Sequence, residues 1–162
     1  MNSTNKGTLM LDIAQKAPDF TLPDATGSDI RLSSFLGGPV VIYFYPKDDT
    51  PGCTRQAIEF TDRAAEIAQN GITVLGISKD SISKHTKFIA KHDLHVALLS
   101  DENAQTCEDY GVWVEKNMYG RKFWGIERTT FLLDADGKIS HIWRKVKVPD
   151  HVDAVLTKAA EL

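Results

Sequence analysis

The segment "FYPKDDTPGCTRQ", residues 44–56, places a cysteine where a thiol can do chemistry. Cys53 follows Pro51 by two residues and Thr50 by three, where an apolar run has ended and a helical pattern begins. Gly52 lets the backbone turn tightly, which sets Cys53 in the first turn of the helix that follows. The first N–H groups of a helix lack partners within it and carry the positive end of its dipole, so they favour a thiolate over a thiol. Ionisation by itself does little: lowering a thiol pKa from about 8.5 to about 6 raises the thiolate fraction near pH 7.4 roughly 13-fold, about 1.5 kcal/mol. Enzymes lower barriers by about 8 kcal/mol or more. The remainder must come from donors aimed at the charge that moves in the transition state. Thr50 can point its hydroxyl back toward the sulfur. Arg128, at the head of "TTFLL", is the candidate cation, because strand ends meet at the ligand crevice of an α/β sheet. Trp124, shortly before Arg128, is a candidate wall for a substrate pocket.

Several elements must hold these residues together. "PVVIYFY" (39–45) is a continuous run of β-branched and aromatic residues, as expected of a central strand buried on both faces. Residues 54–70 carry a helical pattern that ends at Gly71, a good helix terminator. "ITVLGIS" (72–78) and "HVALLS" (95–100) are further strands, with a helix over 81–93 between them, and this alternation implies parallel crossovers. "ENAQTCEDYG" reads as a short helix, "TTFLLDADGKISHIWR" (129–144) as two strands joined at "DADG", and the segment from Asp150 as a last helix. Upstream, "DFTLPDATGSDIRLSSF" reads as a small hairpin turning near Asp24 and Gly27. The expected fold is a single α/β domain over residues 1–162, thioredoxin-like, with a central mixed sheet flanked by helices and an N-terminal β-hairpin extension.

Composition narrows the function classes. A net charge of −3 with both signs interspersed argues against a nucleic-acid groove, and the most basic run, "KNMYGRK" (116–122), reads as a solvated loop. No stretch approaches the ~18 apolar residues of a membrane span, and Asp12 interrupts the short apolar run at the start, so a cytoplasmic protein is expected. Two cysteines, at 53 and 107, make no disulfide framework, and no CxxC or HxxxH pair offers metal spacing. The five histidines are dispersed, His85 and His92 on a polar helix and His95, His141 and His151 at element edges, so surface or structural roles are expected. The same holds for Trp113, Trp143, Tyr119 and Phe123, which read as core or loop packing, and for Asp48 and Asp49, which read as turn residues.

Pro46, Thr50 and Cys53 form the pattern PxxxTxxC within "YFYPKDDTPGCT". With "GIERTTFLLDADGKI" and an early "APDFTL", the chain resembles a peroxiredoxin of the bacterioferritin comigratory, or Q, type from about Ala17 to the final helix. The resemblance implies a thiol-dependent peroxidase acting on hydrogen peroxide and organic hydroperoxides, with Cys53 as the peroxidatic nucleophile. It implies that Thr50 holds the peroxide, that Arg128 stabilises the thiolate and the departing oxygen, and that Pro46 shields the sulfur. Backbone N–H groups of Gly52 and Cys53 would complete the anion site, and no metal or organic cofactor is required. The product at Cys53 would be a sulfenic acid.

The chain departs from the family pattern at the resolving cysteine. Ile58 stands five residues after Cys53, and Phe88 and Ile89 occupy the other family location. Cys107 remains; its helical spacing with Ala104 and Tyr110 favours buried packing, and a resolving role is the alternative. A one-cysteine cycle, with an external thiol such as thioredoxin, glutaredoxin or glutathione, is the expected mechanism. Two rivals keep Cys53 but change the outcome. A disulfide oxidoreductase needs a second cysteine where Gln56 stands, and a non-enzymatic sensor or holdase would use Cys53 as a switch without turnover. The resemblance implies a monomer or weak homodimer.

Overall fold

A computed structural model describes residues 10–162, so the first nine residues of the N-terminal segment lie outside the described part. In chain order the elements are β1 (Thr21–Pro23), β2 (Asp29–Arg31), β3 (Val40–Phe44), α1 (Pro51–Asp62), α2 (Ala64–Gln69), β4 (Thr73–Ser78), α3 (Ile82–His92), β5 (Ala97–Ser100), α4 (Gln105–Asp109), β6 (Trp113–Met118), β7 (Arg121–Ile126), β8 (Thr129–Leu133), β9 (Ile139–Trp143) and α5 (His151–Ala160). β1 and β2 form the expected N-terminal hairpin, with Asp24 accepting from the N–H groups of Thr26 and Ser28 inside its turn. Five strands make the main sheet in the order β5-β4-β3-β8-β9. β3 runs parallel to β4, β4 parallel to β5, and β8 antiparallel to both β3 and β9. This mixed sheet with helices on both faces is the thioredoxin-like α/β architecture expected from the sequence.

All five residues of β3 are buried, and their alternation divides the interior in two. Val40, Ile42 and Phe44 face a cluster that includes Phe20, Leu99, Cys107, Tyr110 and Phe131. Val41 and Tyr43 face the other side, with Cys53, Phe60, Phe88, Leu132 and Val155, so α1, α3 and α5 cover that face. Period-two alternation on one strand therefore assigns the two cysteines to opposite sides of the sheet.

Two expectations need correction. The helix expected over 54–70 is two helices: the chain breaks at Arg63, whose φ of −107° and ψ of 17° depart from helical values. The N–H of Arg63 bonds back to Phe60, and its guanidinium holds both Glu66 and Asp153, which anchors the bend. The run "KNMYGRK" is no loop but the tip of a β-ribbon in which β6 pairs antiparallel with β7. Tyr119 and Gly120 make its two-residue turn, both with positive φ (53° and 78°), the geometry that matches strand twist in tight hairpins. Most of β7 faces solvent, so no buried period marked it in the sequence. Among the described residues no helix is long and apolar enough to cross a membrane.

Gly76, on β4 opposite Tyr43, shows how tightly the α1 face is packed. A Cβ there would stand 2.6 Å from Cζ of Tyr43 and 2.9 Å from Cδ2 of Leu98. Gly76→Ala is expected to destabilise the protein by roughly 1–3 kcal/mol, the usual cost of overpacking a core. Urea unfolding with an unchanged midpoint would contradict this packing.

Candidate active site

The loop leaving β3 delivers the site. Tyr45 is still buried, Pro46 and Lys47 are exposed, Asp48 turns inward, and Asp49 takes a left-handed φ of +62°. Thr50 is then the extended N-cap of α1 and Pro51 its first residue, a position where a missing N–H costs nothing. The Thr50 carbonyl accepts the first helical bond, from Thr54 (2.8 Å). Gly52 and Cys53 thus lie in the first turn, where N–H groups have no partner within the helix. The hydroxyl of Thr50 donates to the Lys47 carbonyl at 2.8 Å, and not to the sulfur. With its proton committed, that oxygen faces other groups as an acceptor.

Cys53 is only 1 % exposed. One guanidinium nitrogen of Arg128 donates to its Sγ at 3.3 Å, and the other donates to Oε1 of Gln56 at 2.8 Å. The sheet register explains the meeting: Thr129 pairs with Phe44, so Arg128 stands beside the end of β3 where the loop departs. Gln56 was seen in the sequence only as a missing cysteine. It lies three residues after Cys53 on the same helical face, fully buried, and its Nε2 has no hydrogen-bond partner. Tyr43 adds a second such atom: its buried hydroxyl has no partner, and burial, with Cys53 and Asp48 nearby, pushes its ionisation well above the ordinary phenol range.

Lys116 is a cation that sequence reasoning assigned to solvent. Its stem lies against Gly125, where a Cβ would stand 3.4 Å from Cδ of the lysine. Partial burial lowers its affinity for a proton, as does Arg128, while Glu127 and Cys53 oppose them. Trp124 departs from expectation. It is 58 % exposed on the outward part of β7, opposite Glu115, and does not join the cluster of Cys53, Gln56 and Arg128. The ribbon's solvent-facing strand explains this, since none of the described residues covers that part of β7.

Cys107 is fully buried with Ala104 and Tyr110, as the helical spacing suggested. Burial, then the Asp101 carboxylate, pushes its thiol far above the ordinary range, and its backbone N–H is held by that carboxylate at 2.8 Å. Two histidines are more buried than expected. His85 bonds Asp48 and the Leu99 carbonyl, and His151 lies 2.9 Å from the Thr130 hydroxyl, edge-on to Trp143.

Residues 13–142 match the AhpC/TSA family, and the chain belongs to it. It is 48 % identical to Peroxiredoxin Bcp of Escherichia coli over 140 residues, 86 % of this chain and 90 % of the relative. It is 44 % identical to Peroxiredoxin Bcp of Bacillus subtilis over 148 residues, 91 % of this chain and 94 % of the relative. Among solved structures it resembles the bacterioferritin comigratory protein of Xanthomonas campestris, studied for alkyl peroxide reduction, with a TM-score of 0.86 and 40 % identity over 93 % of this chain and 98 % of that one. A mutant of PrxQ from Xylella fastidiosa superposes with a TM-score of 0.87 at 36 % identity, covering 93 % and 96 % of the two chains. By these similarities the chain is a thiol-dependent peroxidase that uses peroxide and a thiol reductant.

His151 makes a measurable prediction. Burial, then Arg128, lowers its pKa from the ordinary 6.5 to about 4. The unfolded chain therefore takes up a proton that the folded chain refuses, so stability falls as pH drops from about 6.5 to about 4 and levels off below. Wild type is expected to lose roughly 2–4 kcal/mol more across that window than His151→Gln, as read by denaturant titrations at a series of pH values. Parallel curves for the two proteins would contradict it.

Proposed function

We propose that Cys53 is the peroxidatic nucleophile of this peroxidase and that the chain runs a one-cysteine cycle as a single thioredoxin-like domain. The observation that carries the reading is the guanidinium of Arg128 donating to the sulfur of a cysteine in the first turn of a helix. The thiolate attacks the terminal oxygen of a hydroperoxide, the O–O bond breaks, and the departing oxygen leaves as water or an alcohol after taking a proton. Arg128 and the N–H groups of Gly52 and Cys53 stabilise the negative charge as it moves from sulfur to the departing oxygen. The Thr50 oxygen, its proton held by Lys47, accepts from the hydroperoxide O–H. Gln56 holds the guanidinium in place. Pro46, at the exposed start of the loop, limits water around the sulfur. Hydrogen peroxide and organic hydroperoxides are the substrates, and Trp124 is assigned no part in binding them.

A thiol then attacks the sulfenic acid of Cys53, giving a mixed disulfide and water, and a second thiol releases Cys53 as a disulfide forms between the two reductant sulfurs. Thioredoxin, glutaredoxin and glutathione supply such thiols. An external reductant is favoured because Cys107 lies across the sheet, buried, with its thiol held in the protonated form. Two free thiols suit a reducing compartment, the cytoplasm. A monomer or weak homodimer suffices, since the described chain holds Cys53, Thr50, Gln56 and Arg128 together itself.

One equivalent of hydrogen peroxide is expected to add one oxygen to the reduced protein, trapped by dimedone at Cys53, and sustained consumption is expected once a thioredoxin or glutathione system is supplied. Loss of two hydrogens within one chain would instead make Cys107 the resolving residue, and arrest after one equivalent would mark a sensor. Arg128→Met is expected to slow Cys53 oxidation about 10²–10³-fold, the scale for removing one oriented donor from a transition state. A stopped-flow rate within a factor of about three of wild type would remove Arg128 from the mechanism.

A further inference from the structure

Asp48 sits between Pro46 and Thr50, where an acidic side chain would ordinarily face water, yet it is buried. Its Oδ1 accepts from the Tyr45 hydroxyl at 2.6 Å, and its Oδ2 lies 2.6 Å from Nδ1 of His85. His85, on α3, is itself fully buried, and its Nε2 lies 2.9 Å from the carbonyl of Leu99 on β5. A carbonyl only accepts, so Nε2 carries a proton. An ionised carboxylate also only accepts, so a bare Nδ1 would set two lone pairs against each other at 2.6 Å. A second proton must lie on the line between Nδ1 and Oδ2.

The other polar groups packed around this line leave that proton in place. The Tyr45 proton is used on Oδ1, and Oδ2 of Asp80 is taken by the Asp48 N–H (2.8 Å) and the Ser78 hydroxyl (2.7 Å). Asp80 thereby holds the loop backbone at Asp48 from the end of β4. Asp49 adds an exposed attachment to the same helix, accepting from Lys91 at 2.7 Å and lying 2.9 Å from His92. Both consecutive aspartates of the loop are thus tied to α3, immediately before the residue that caps α1.

We propose that His85 is a positioning residue for the peroxide reaction: through a shared proton with Asp48 it fastens α3 to the loop that aims Thr50 and Cys53. The inference rests on the reading of Cys53 as nucleophile. His85 touches no reacting atom and acts only through the loop. Without that tie the loop keeps its bonds to Asp80 and Tyr45 but loses its buried hold on α3, and small misplacements of reacting groups are costly.

Two variants separate this role from general packing. His85→Asn keeps a donor near the position of Nδ1, facing Asp48, while His85→Gln keeps one near Nε2, facing Leu99. Both lose one buried hydrogen bond. His85→Gln is expected to lower the second-order rate of Cys53 oxidation by hydrogen peroxide at least about tenfold, and His85→Asn to rescue it to within about threefold of wild type. Equal losses in the two, or a wild-type rate for His85→Gln, would overturn the proposal. Should either variant fail to fold, Asp48→Asn takes its place: its amide donates to a neutral ring and accepts from Tyr45, so the rate is retained, and a tenfold loss counts against the proposal. Nitrogen-15 NMR of the wild type gives a readout that needs no activity. An exchange-protected proton between the His85 ring and Asp48 at neutral pH is expected, and a bare Nδ1 facing an ionised Asp48 rules the tie out. A wild type with that proton but no peroxide reaction would fault the assignment of Cys53 instead.

Discussion

The sulfur proposed as nucleophile is withdrawn from water, so its charge partners must be built around it. Cys53 is almost fully buried, and a buried anion is costly unless hydrogen-bonded or paired. The helix terminus supplies two N–H groups without intrahelical partners, and Arg128 supplies a formal charge at 3.3 Å. Neither suffices alone. A guanidinium free to swing would lose its aim, so its second arm is fixed on Gln56, which is carried by the same helix as the sulfur. Guanidinium and sulfur are thereby referenced to one rigid element, the arrangement that lets an electrostatic site act without reorganising.

Beneath the site, the sheet both assembles and segregates. Pairing of β8 with β3 brings Arg128 to the end of the strand from which the loop to Cys53 departs. The alternation along β3 sends Cys53 and Cys107 to different cores. A disulfide needs Cα atoms within about 7 Å, and two thiols divided by a packed sheet cannot approach that distance without dismantling it. With Ile58 at one family location of a resolving cysteine and Phe88 and Ile89 at the other, the thiol that remains is Cys107, which lies across the sheet from Cys53 and, through burial beside Asp101, is disfavoured as a thiolate.

Reactivity and regeneration place opposite demands on the loop between Pro46 and Thr50. In the proposed cycle a small peroxide meets the sulfur with the loop seated, while a thiol reductant must reach a sulfur that is 1 % exposed. Buried ties to Asp80 and His85 and exposed ties to Lys91 and His92 hold the seated form, and they differ in strength because exposed ion pairs in water contribute little. Helix α3 and the end of β4 are in this sense part of the site, although neither carries a reacting atom.

Local pattern was enough to read the strands β3, β4, β5, β8 and β9 and to set Cys53 in the first turn of a helix. Those signals live in adjacent residues: an unbroken apolar run, a glycine that lets the chain turn before the cysteine, a glycine after the last helical residue. The β-ribbon of β6 and β7 escaped because its residues face water on most of their length and leave no burial period, and the bend at Arg63 escaped because side-chain partners outside the segment hold it. Gln56, Lys116 and His85 were present in the sequence but silent, since a buried polar residue is recognised by what it meets, and those partners come from elsewhere in the chain. Asp48 and His85 are 37 residues apart, and Cys53 and Arg128 are 75 apart. The sequence by itself determined what kind of fold this is and which cysteine stands in the first turn of a helix, the residue proposed as nucleophile. Tertiary structure decided how the Arg128 guanidinium meets that sulfur, which cysteine is shut away from it, and which histidine reaches its loop, because contacts between distant segments follow from sheet register and packing and leave no periodic trace in either segment.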